Sequence, residues 1–547
     1  MKRVLAIAGS VALVTTLAAC TSSPSSTSTG SDGLYPASKL VTTTTAATKT
    51  ADKVTWALSA GEPPTLNPIQ SGTDSSYLVN ANLCENLLSL TPDFAVAPGL
   101  ATSADWTDPT TFTIELRDDV TFWDGTPMTA EDVLYSLQQS ASPTTGSVNV
   151  GLFAGVTSMA ATGAHEVTLH FAAPDSQFRN ALATTAGVVF EKAYAEKAGQ
   201  ALGTSSGGLM CTGPFELKSW TPGKSIVTTA NPHYWNGEPK TKELDYVFIA
   251  DNSTLTSALL SGEVDGAYDV PTSSAKTLSS SKSGALHFGP STGSLSFGPV
   301  ADSGPAADPR VRQALNLAID KTAYVKTVLG GYGAVAKTFS LPLTFSGLPD
   351  AAVYQKGYDA LPDYPVDLAK AKKLIAEAKP EAKDLVFAIP AGNQELLQSA
   401  TIVQAAGKKL GLTITIKQLQ ATDFAGLFYD ASARKGIDFI GTMGYLNAPG
   451  PITNAAFFTM PQPLGLFNWS GYSDPEVTKH LTAAIQTTDA TTAANEFVKA
   501  QAIYDESQPL VTLGAKYSSV YLSSKLTGAT VSFAYIGSPW ALHLGAE

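Results

Sequence analysis

From Lys53 onward, short stretches of alternating apolar and polar residues are interspersed with stretches of helical periodicity. Thr111–Leu116 and Glu166–Phe171 place apolar residues at every second position, which predicts half-buried strands. Asp308 followed by a proline predicts a helix start, and apolar residues at helical spacing extend that helix over 308–320. The folded part of the chain is therefore a mixture of helices and strands.

The C-terminal half contains a strand–helix–strand unit. Residues 385–389 and 412–416 are predicted strands, and residues 396–410 between them form a predicted helix. Such a unit is typical of an α/β sheet. At roughly 150 residues per domain, the chain length of 547 residues predicts two to four domains.

The first twenty residues are typical of an exported lipoprotein. Lys2 and Arg3 precede an apolar stretch over 4–17, which is shorter than the roughly 20 residues of a membrane-spanning helix. The stretch ends in Leu-Ala-Ala-Cys, which resembles the bacterial lipobox. We therefore predict a lipoprotein signal peptide over 1–20, with Cys20 as the lipid attachment site and two acyl chains as a stable anchor. The alternative is a signal peptide that ends near a cysteine by chance.

The residues after Cys20 are rich in Ser and Thr and poor in apolar side chains. Such a composition cannot bury enough apolar surface to fold. We predict a disordered tether over 21–52. No later stretch has the length and apolar character of a membrane span, so we expect membrane attachment through the lipid alone.

Charge and cysteine content exclude several classes of protein. The formal net charge is −12 without a Lys/Arg-rich run, so nucleic acid is excluded as a partner. Three cysteines cannot form a disulfide framework. The six histidines lack metal-ligand spacing, and no phosphate-binding or dinucleotide motif is present. We expect no metal and no cofactor.

Two sequence patterns resemble catalytic motifs but lack their context. Residues 203–207 match the Gly-x-Ser-x-Gly spelling without the preceding strand that a nucleophile elbow needs. Ser279 and Lys282 match a Ser-x-x-Lys spacing within a Ser-rich stretch. We therefore predict no catalytic residues and no enzyme. Aromatic and carboxamide residues instead cluster at 443–447 and 467–472, which suits a cleft that holds a ligand.

Several segments together resemble one family, the extracytoplasmic solute-binding proteins of ATP-binding-cassette (ABC) importers of the oligopeptide, dipeptide and nickel class. The most specific likeness is Leu-Arg-Asp-Asp-Val-Thr-Phe-Trp-Asp-Gly-Thr-Pro at 116–127, which continues into 129–133. Further likenesses lie at residues 64–68, 212–215, 231–235, 262–265, 308–314 and 471–476.

The resemblance implies an α/β fold of the type II periplasmic-binding-protein kind, with two hinged lobes and an extra α+β subdomain. Lobe I is expected over 53–297 and 515–547, with the subdomain at about 80–190, and lobe II over 298–514. The chain is expected to cross between the lobes near 295–297 and Val511–Lys516. The protein would be a monomer that closes on a solute and delivers it to an ABC permease with cytoplasmic ATPases.

The resemblance also indicates where the ligand binds and leaves its chemistry open. Peptide binders often carry an aspartate for the ligand's ammonium, and Asn447 occupies that position here. A neutral amide lacks that charge-assisted bond of about 1.5–3 kcal/mol. An oligopeptide or peptide-like compound is expected, with an uncharged oligosaccharide or modified ligand as the alternative. The expected contact residues are Thr73, Asp74, Tyr445, Leu446, Asn447 and Trp469.

By the same mapping, Cys84 and Cys211 both lie in lobe I, and an exported protein experiences an oxidising compartment. We expect a disulfide between them, with two buried free thiols as the alternative. Two functions of other classes stay open at this point: a secreted hydrolase and a ligand sensor that signals without transport.

Overall fold

The computed structural model describes residues 33–70, 72–444, 449–462 and 464–547. Cys20, Tyr445, Leu446 and Asn447 lie outside the described residues. The strands are β1 Ala51–Leu58, β2 Leu88–Leu90, β3 Val96–Pro98, β4 Ala101–Asp108, β5 Thr111–Leu116, β6 Val156–Gly163, β7 Glu166–Phe171, β8 Phe215–Thr221, β9 Ser225–Ala230, β10 Thr241–Phe248, β11 Gly266–Tyr268, β12 Gly284–Gly289, β13 Ser294–Pro299, β14 Gly333–Ala334, β15 Asp384–Pro390, β16 Thr413–Leu419, β17 Phe439–Gly444, β18 Val511–Lys516, β19 Ser518–Ser523, β20 Leu526–Thr527 and β21 Gly545–Ala546. The α-helices are α1 Asp74–Leu83, α2 Ala130–Ala141, α3 Phe178–Ala181, α4 Lys192–Ala198, α5 Asn252–Ser261, α6 Ala275–Ser279, α7 Pro309–Leu317, α8 Lys321–Val328, α9 Ala351–Ala360, α10 Leu368–Ala378, α11 Gln394–Lys409, α12 Ala421–Tyr429, α13 Ile452–Thr459, α14 Pro475–Ile485 and α15 Ala490–Ser507.

Lobe I is built on a seven-stranded sheet with the strand order β12-β19-β11-β1-β10-β9-β8. Strand β1 lies in its centre and pairs in parallel with β10 and β11. Trp56 of β1 is fully buried, and its ring lies 4.4 Å from that of Trp540 near the C-terminus. Strand β1 and the segment around Trp540 therefore share one core.

Lobe II is built on a six-stranded sheet with the order β14-β18-β13-β17-β15-β16. Strands β15 and β16 pair in parallel, and α11 connects them, as the strand–helix–strand pattern predicts. Phe297, Phe387 and Phe439 are buried where the central strands meet the helices.

The subdomain inserted in lobe I contains a four-stranded antiparallel sheet with the order β4-β5-β7-β6. Strands β5 and β7 have the bounds that the alternating pattern predicts. Helix α2 packs on this sheet and begins with a capping box, in which the Thr129 N–H donates to Asp132 Oδ2 at 3.0 Å. The subdomain has its own apolar core, which extends from Leu87 to Val189.

The chain crosses between the two large sheets twice, between Gly289 and Ser294 and again at Tyr517. The segments where the crossings were expected, 295–297 and Val511–Lys516, are both strands of the lobe II sheet. The boundaries therefore differ from the expected ones by a few residues. The cause is pairing that a local pattern does not reveal, since β13 lies between β17 and β18.

The expected tether is too long at its C-terminal end, because residues 33–50 pack on the folded body. The Tyr35 N–H donates to Gly331 O at 2.8 Å, and the Thr44 N–H donates to Ala529 O at 2.9 Å. Backbone groups paired in this way hold a polar segment in place without an apolar core of its own. Within the described ranges, no helix is both long and apolar enough to cross a membrane.

Candidate ligand-binding cleft

A cavity of about 870 Å³ lies between the lobes. Gly72 and Tyr77 line it from lobe I, the loop 146–152 and Thr184 line it from the subdomain, and strands and helices of lobe II line its other side. The volume falls within the roughly 300–1,000 Å³ of small-molecule sites. Both lobes thus contribute to one cavity.

Six aromatic residues form one side of this cavity, which we call the aromatic wall. They come from α12, from α13 and from the loop that follows α13. The members are Phe424, Phe428, Phe457, Phe458, Phe467 and Trp469. Phe428 meets Trp469 edge-on at 5.5 Å between ring centroids, and Phe457 meets Phe467 in the same way at 5.7 Å. Edge-to-face contacts of this kind are the favoured geometry of aromatic pairs.

Trp469 is held in place by the loop that carries it and by Arg434. The Asn468 amide donates to Met460 O at 3.0 Å and to Tyr472 O at 2.8 Å, which closes the loop. The Arg434 guanidinium lies 4.8 Å from the Trp469 ring centroid, a cation–π distance. The indole therefore has a defined orientation at the cavity.

The polar groups of the cavity are uncharged. None of its described lining residues is Asp, Glu, Lys, Arg or His. Hydroxyl and carboxamide groups are present instead, on Tyr77, Ser147, Asn149, Thr184, Ser294, Thr442, Thr453, Asn454 and Ser470. Such a lining can exchange hydrogen bonds with amide or hydroxyl groups of a ligand but supplies no ion pair.

A cluster of charged side chains lies at the hinge beside the second crossing. Lys516 Nζ is 3.0 Å from Glu395 Oε2, and both side chains are 15% exposed. Glu395 also accepts a hydrogen bond from Thr272 Oγ1 at 2.9 Å, and Asp269 accepts one from Tyr535 Oη at 2.6 Å. Burial lowers the pKa of Lys516, but the carboxylates of Glu395 and Asp269 outweigh it and raise the pKa overall. The cluster joins α11 of lobe II to the end of β11 in lobe I.

The expected contact residues have three outcomes. Trp469 lines the cavity. Thr73 and Asp74 begin α1 between the lining residues Gly72 and Tyr77 without being among the lining residues themselves. The Asp74 carboxylate instead adds to the negative charge around the hinge lysine. The expected contacts at 445–447 lie outside the described residues.

The lobes also touch at the mouth of the cleft. The Ser176 N–H donates to Ile485 O at 2.8 Å, and its hydroxyl donates to Ala484 O at 2.8 Å. The Asn180 amide donates to Pro449 O at 3.3 Å. These bonds join the subdomain to lobe II beside the cavity.

Cys84 and Cys211 form a disulfide with an Sγ–Sγ distance of 2.12 Å. They lie where the chain leaves lobe I for the subdomain and where it returns. The Gly213 N–H also donates to Leu83 O at 2.9 Å, and we call these two adjacent chain segments the neck of the subdomain. The bond therefore ties together the two chain segments that carry the subdomain.

Beside the disulfide, Glu85 is buried and accepts three hydrogen bonds. They come from Tyr234 Oη at 2.7 Å, Thr212 Oγ1 at 2.8 Å and Trp235 Nε1 at 3.0 Å. Burial raises the pKa of Glu85 to about 7, although these donors and the nearby Arg117 lower it. The Arg117 guanidinium lies 3.9 Å from the Trp235 ring centroid. Two of the family-like segments, 116–127 and 231–235, thus meet at this neck.

The sequence did not indicate the loop 146–152 or helix α12 as parts of the site. The loop is a short stretch of glycine, aliphatic and polar residues (Gly-Ser-Val-Asn-Val-Gly-Leu) with no chemical motif. Phe424 and Phe428 are spaced one helical turn apart, which is also the spacing of a core-facing helix. Their spacing is therefore compatible with a core-facing helix and with a cavity-lining helix, and it could not identify α12 as part of the site.

Two lobes joined by two crossings, with one cavity between them, define the architecture of a hinged solute-binding protein. Residues 95–462 match the sequence profile of the bacterial extracellular solute-binding proteins, family 5, middle region. The chain belongs to this family.

The relatives cover most of the chain. The glutathione-binding protein GsiB of Escherichia coli strain K12 is 27% identical over 480 residues, which are 85% of this chain and 89% of GsiB. Among solved structures, the oligopeptide-binding protein AppA of Bacillus subtilis, in complex with a nonapeptide, is 20% identical with a TM-score of 0.76 and covers 91% of this chain and 99% of its own. NikZ of Campylobacter jejuni, in complex with Ni(L-His), is 22% identical with a TM-score of 0.74 and covers 90% and 99%.

These likenesses confirm the expected family and the type II periplasmic-binding-protein fold. The protein is extracytoplasmic, binds a small solute and works with the permease and ATPase subunits of an ABC importer. Its relatives are solute-binding proteins and not enzymes, as the sequence predicts.

Proposed function

We propose that the chain captures a peptide-like solute whose amino end is blocked or modified. The uncharged lining of the interlobe cavity carries this proposal. A peptide presents N–H and C=O groups that hydroxyl and carboxamide side chains can satisfy. A charged terminus held in such a cavity would lose hydration without gaining an ionic partner, which is costly.

The residue at position 447 gives a second argument for a ligand with a blocked or modified amino end. Asn447 replaces the aspartate that pairs with a ligand ammonium in similar peptide binders. Glutathione, the ligand in the name of GsiB, carries one ammonium and two carboxylates. Since none of the described lining residues is charged, we expect glutathione to bind more weakly here than a blocked peptide.

The proposal includes a lipid anchor at Cys20 and a monomeric state. The sequence around Cys20 resembles a lipobox, and a diacylated cysteine would keep the binding lobes near the permease. Metabolic labelling with radioactive palmitate tests the anchor. We expect the wild-type protein to be labelled and membrane-bound and the Cys20→Ser variant to be unlabelled. Equal labelling of both would contradict the anchor.

Ligand class is tested by mass spectrometry of copurified solutes and by a thermal-shift panel. The panel contains an N-acetylated, C-amidated tripeptide, the same tripeptide with free ends, glutathione and a neutral oligosaccharide. A ligand at 100 times its Kd stabilises the protein by about 2.7 kcal/mol. We expect the blocked tripeptide to give the largest shift. A shift with the oligosaccharide and with no peptide would overturn the proposal in favour of a sugar.

The Asn447→Asp variant tests the amino end directly. Restoring the carboxylate should strengthen binding of the free tripeptide relative to the blocked one, because an ammonium would then gain a charged partner. Isothermal titration of both tripeptides against both proteins measures this. If the ratio of the two affinities is unchanged by the substitution, position 447 does not contact the amino end.

A further inference from the structure

We propose that the aromatic wall is an apolar subsite and that the ligand carries a bulky aromatic or branched aliphatic group against it. This inference rests on the proposed function, since it narrows the class of peptide-like ligand. All six rings of the wall are half-buried and line the cavity. They leave apolar surface facing a space that a ligand can fill.

The burial of these rings differs from that of the aromatics in the lobe II core. Phe297 and Phe387 are 1% and 0% exposed, as is usual for phenylalanine inside a lobe. The rings of the wall meet one another through their edges and remain open on the cavity side. Apolar surface removed from water by a ligand contributes favourably in proportion to its area, so this side of the cavity favours apolar groups.

Exposed aliphatic residues point to the same conclusion from both lobes. Leu466, next to the wall, is 39% exposed, and Val148, on the subdomain, is 42% exposed. Both line the cavity. Among the described residues, the exposed large hydrophobic side chains are these two together with Val41, Val335 and Val366. An apolar group of the ligand would be contacted from lobe II and from the subdomain on closure, which couples its recognition to lobe closure.

The test compares two probes of equal length in isothermal titration. One is N-acetyl-Phe-Leu-Phe-amide, and the other is N-acetyl-Ser-Gln-Ser-amide. We expect the apolar probe to bind at least about tenfold more tightly, because it alone can cover the wall.

Variants then place a charge against the subsite. Leu466→Asp and Val148→Asp should each weaken the apolar probe by about tenfold or more, since the new carboxylate loses hydration beside the bound group. Val366→Asp is the matched control, because Val366 is 49% exposed and lies outside the lining residues. It should leave the affinity unchanged. Leu466→Asn repeats the test without a charge and should give a smaller loss.

Different outcomes distinguish a failure of the apolar subsite from a failure of the proposed function. If both blocked probes bind equally, or if Leu466→Asp and Val148→Asp bind the apolar probe like the Val366→Asp control, the apolar subsite is refuted while peptide capture stands. If neither blocked probe binds but the oligosaccharide does, the proposed function fails together with this inference.

Discussion

Removing the Cys84–Cys211 disulfide should loosen the subdomain from lobe I. The bond spans 127 residues of sequence, which comprise the whole inserted subdomain. In the chain-entropy description, closing a loop of this length stabilises the folded state by about 5 kcal/mol at 25 °C. Typical folded proteins have about 5–15 kcal/mol in total, so the loss is large. Unfolding of the subdomain as one unit would shift its midpoint by about 15–20 °C.

The perturbation is the double substitution Cys84→Ala and Cys211→Ala, which also removes the thiols from a buried neck. Thermal unfolding followed by near-ultraviolet circular dichroism reports the loss of tertiary packing around aromatic side chains, including those of the subdomain. The wild type in excess reductant is the control, and its midpoint should fall toward that of the double variant. Thiol titration of the denatured wild type should detect no free Cys84 or Cys211.

A midpoint that is the same in the wild type, the reduced wild type and the double variant would refute this reasoning. The other contacts of the neck would then already hold the two chain segments together without the disulfide. The Gly213–Leu83 backbone bond would be the leading alternative restraint, since it joins the same two chain segments.

Three further predictions concern titrating or charged groups. Glu85 has a pKa of about 7 in the folded protein against 4.5 in the unfolded chain. The free energy of unfolding should therefore fall by about 3 kcal/mol as pH rises from below 4.5 to above 7. In denaturant titrations, Glu85→Gln should remove that fall. Lys516→Met should lower the free energy of unfolding by about 3 kcal/mol in thermal unfolding, because it leaves the buried Glu395 carboxylate without its cationic partner. A smaller loss in the Glu395→Gln background would confirm that the two side chains are coupled. Burial raises the pKa of Asp175 to about 6, so the free energy of unfolding should fall as pH rises through about 6. In denaturant titrations, Asp175→Asn should remove that part of the pH dependence.

The candidate site was only partly predictable. Trp469 belongs to an aromatic cluster that is visible in the sequence, and it lines the cavity. Asp74 was expected to contact the ligand; it begins α1 between the lining residues Gly72 and Tyr77, and its carboxylate adds to the negative charge around the hinge lysine. Val148 carried no chemical signal, and only the tertiary structure shows that it lines the cavity.

Local patterns determined the elements and the family. The alternation in Thr111–Leu116 and Glu166–Phe171 predicts strands because successive side chains of an extended chain point to opposite faces, which is a local property of the backbone. The helix expected over 308–320 ends at Leu317, and Asp320 caps the next helix, so even there the residues were right and only the boundary moved. The family-like motifs are likewise contiguous stretches that can be recognised without a structure.

Tertiary structure alone decided which side chains share a space. Residues 33–50 have the composition of a polar tether, but their backbone groups pair with strands and loops up to about 500 residues away. The uncharged cavity is similar, because its lining comes from segments that span residues 72 to 510. Sequence separation hides such contacts, since the free energy that forms them arises from burial and pairing across the whole fold and not from any local pattern.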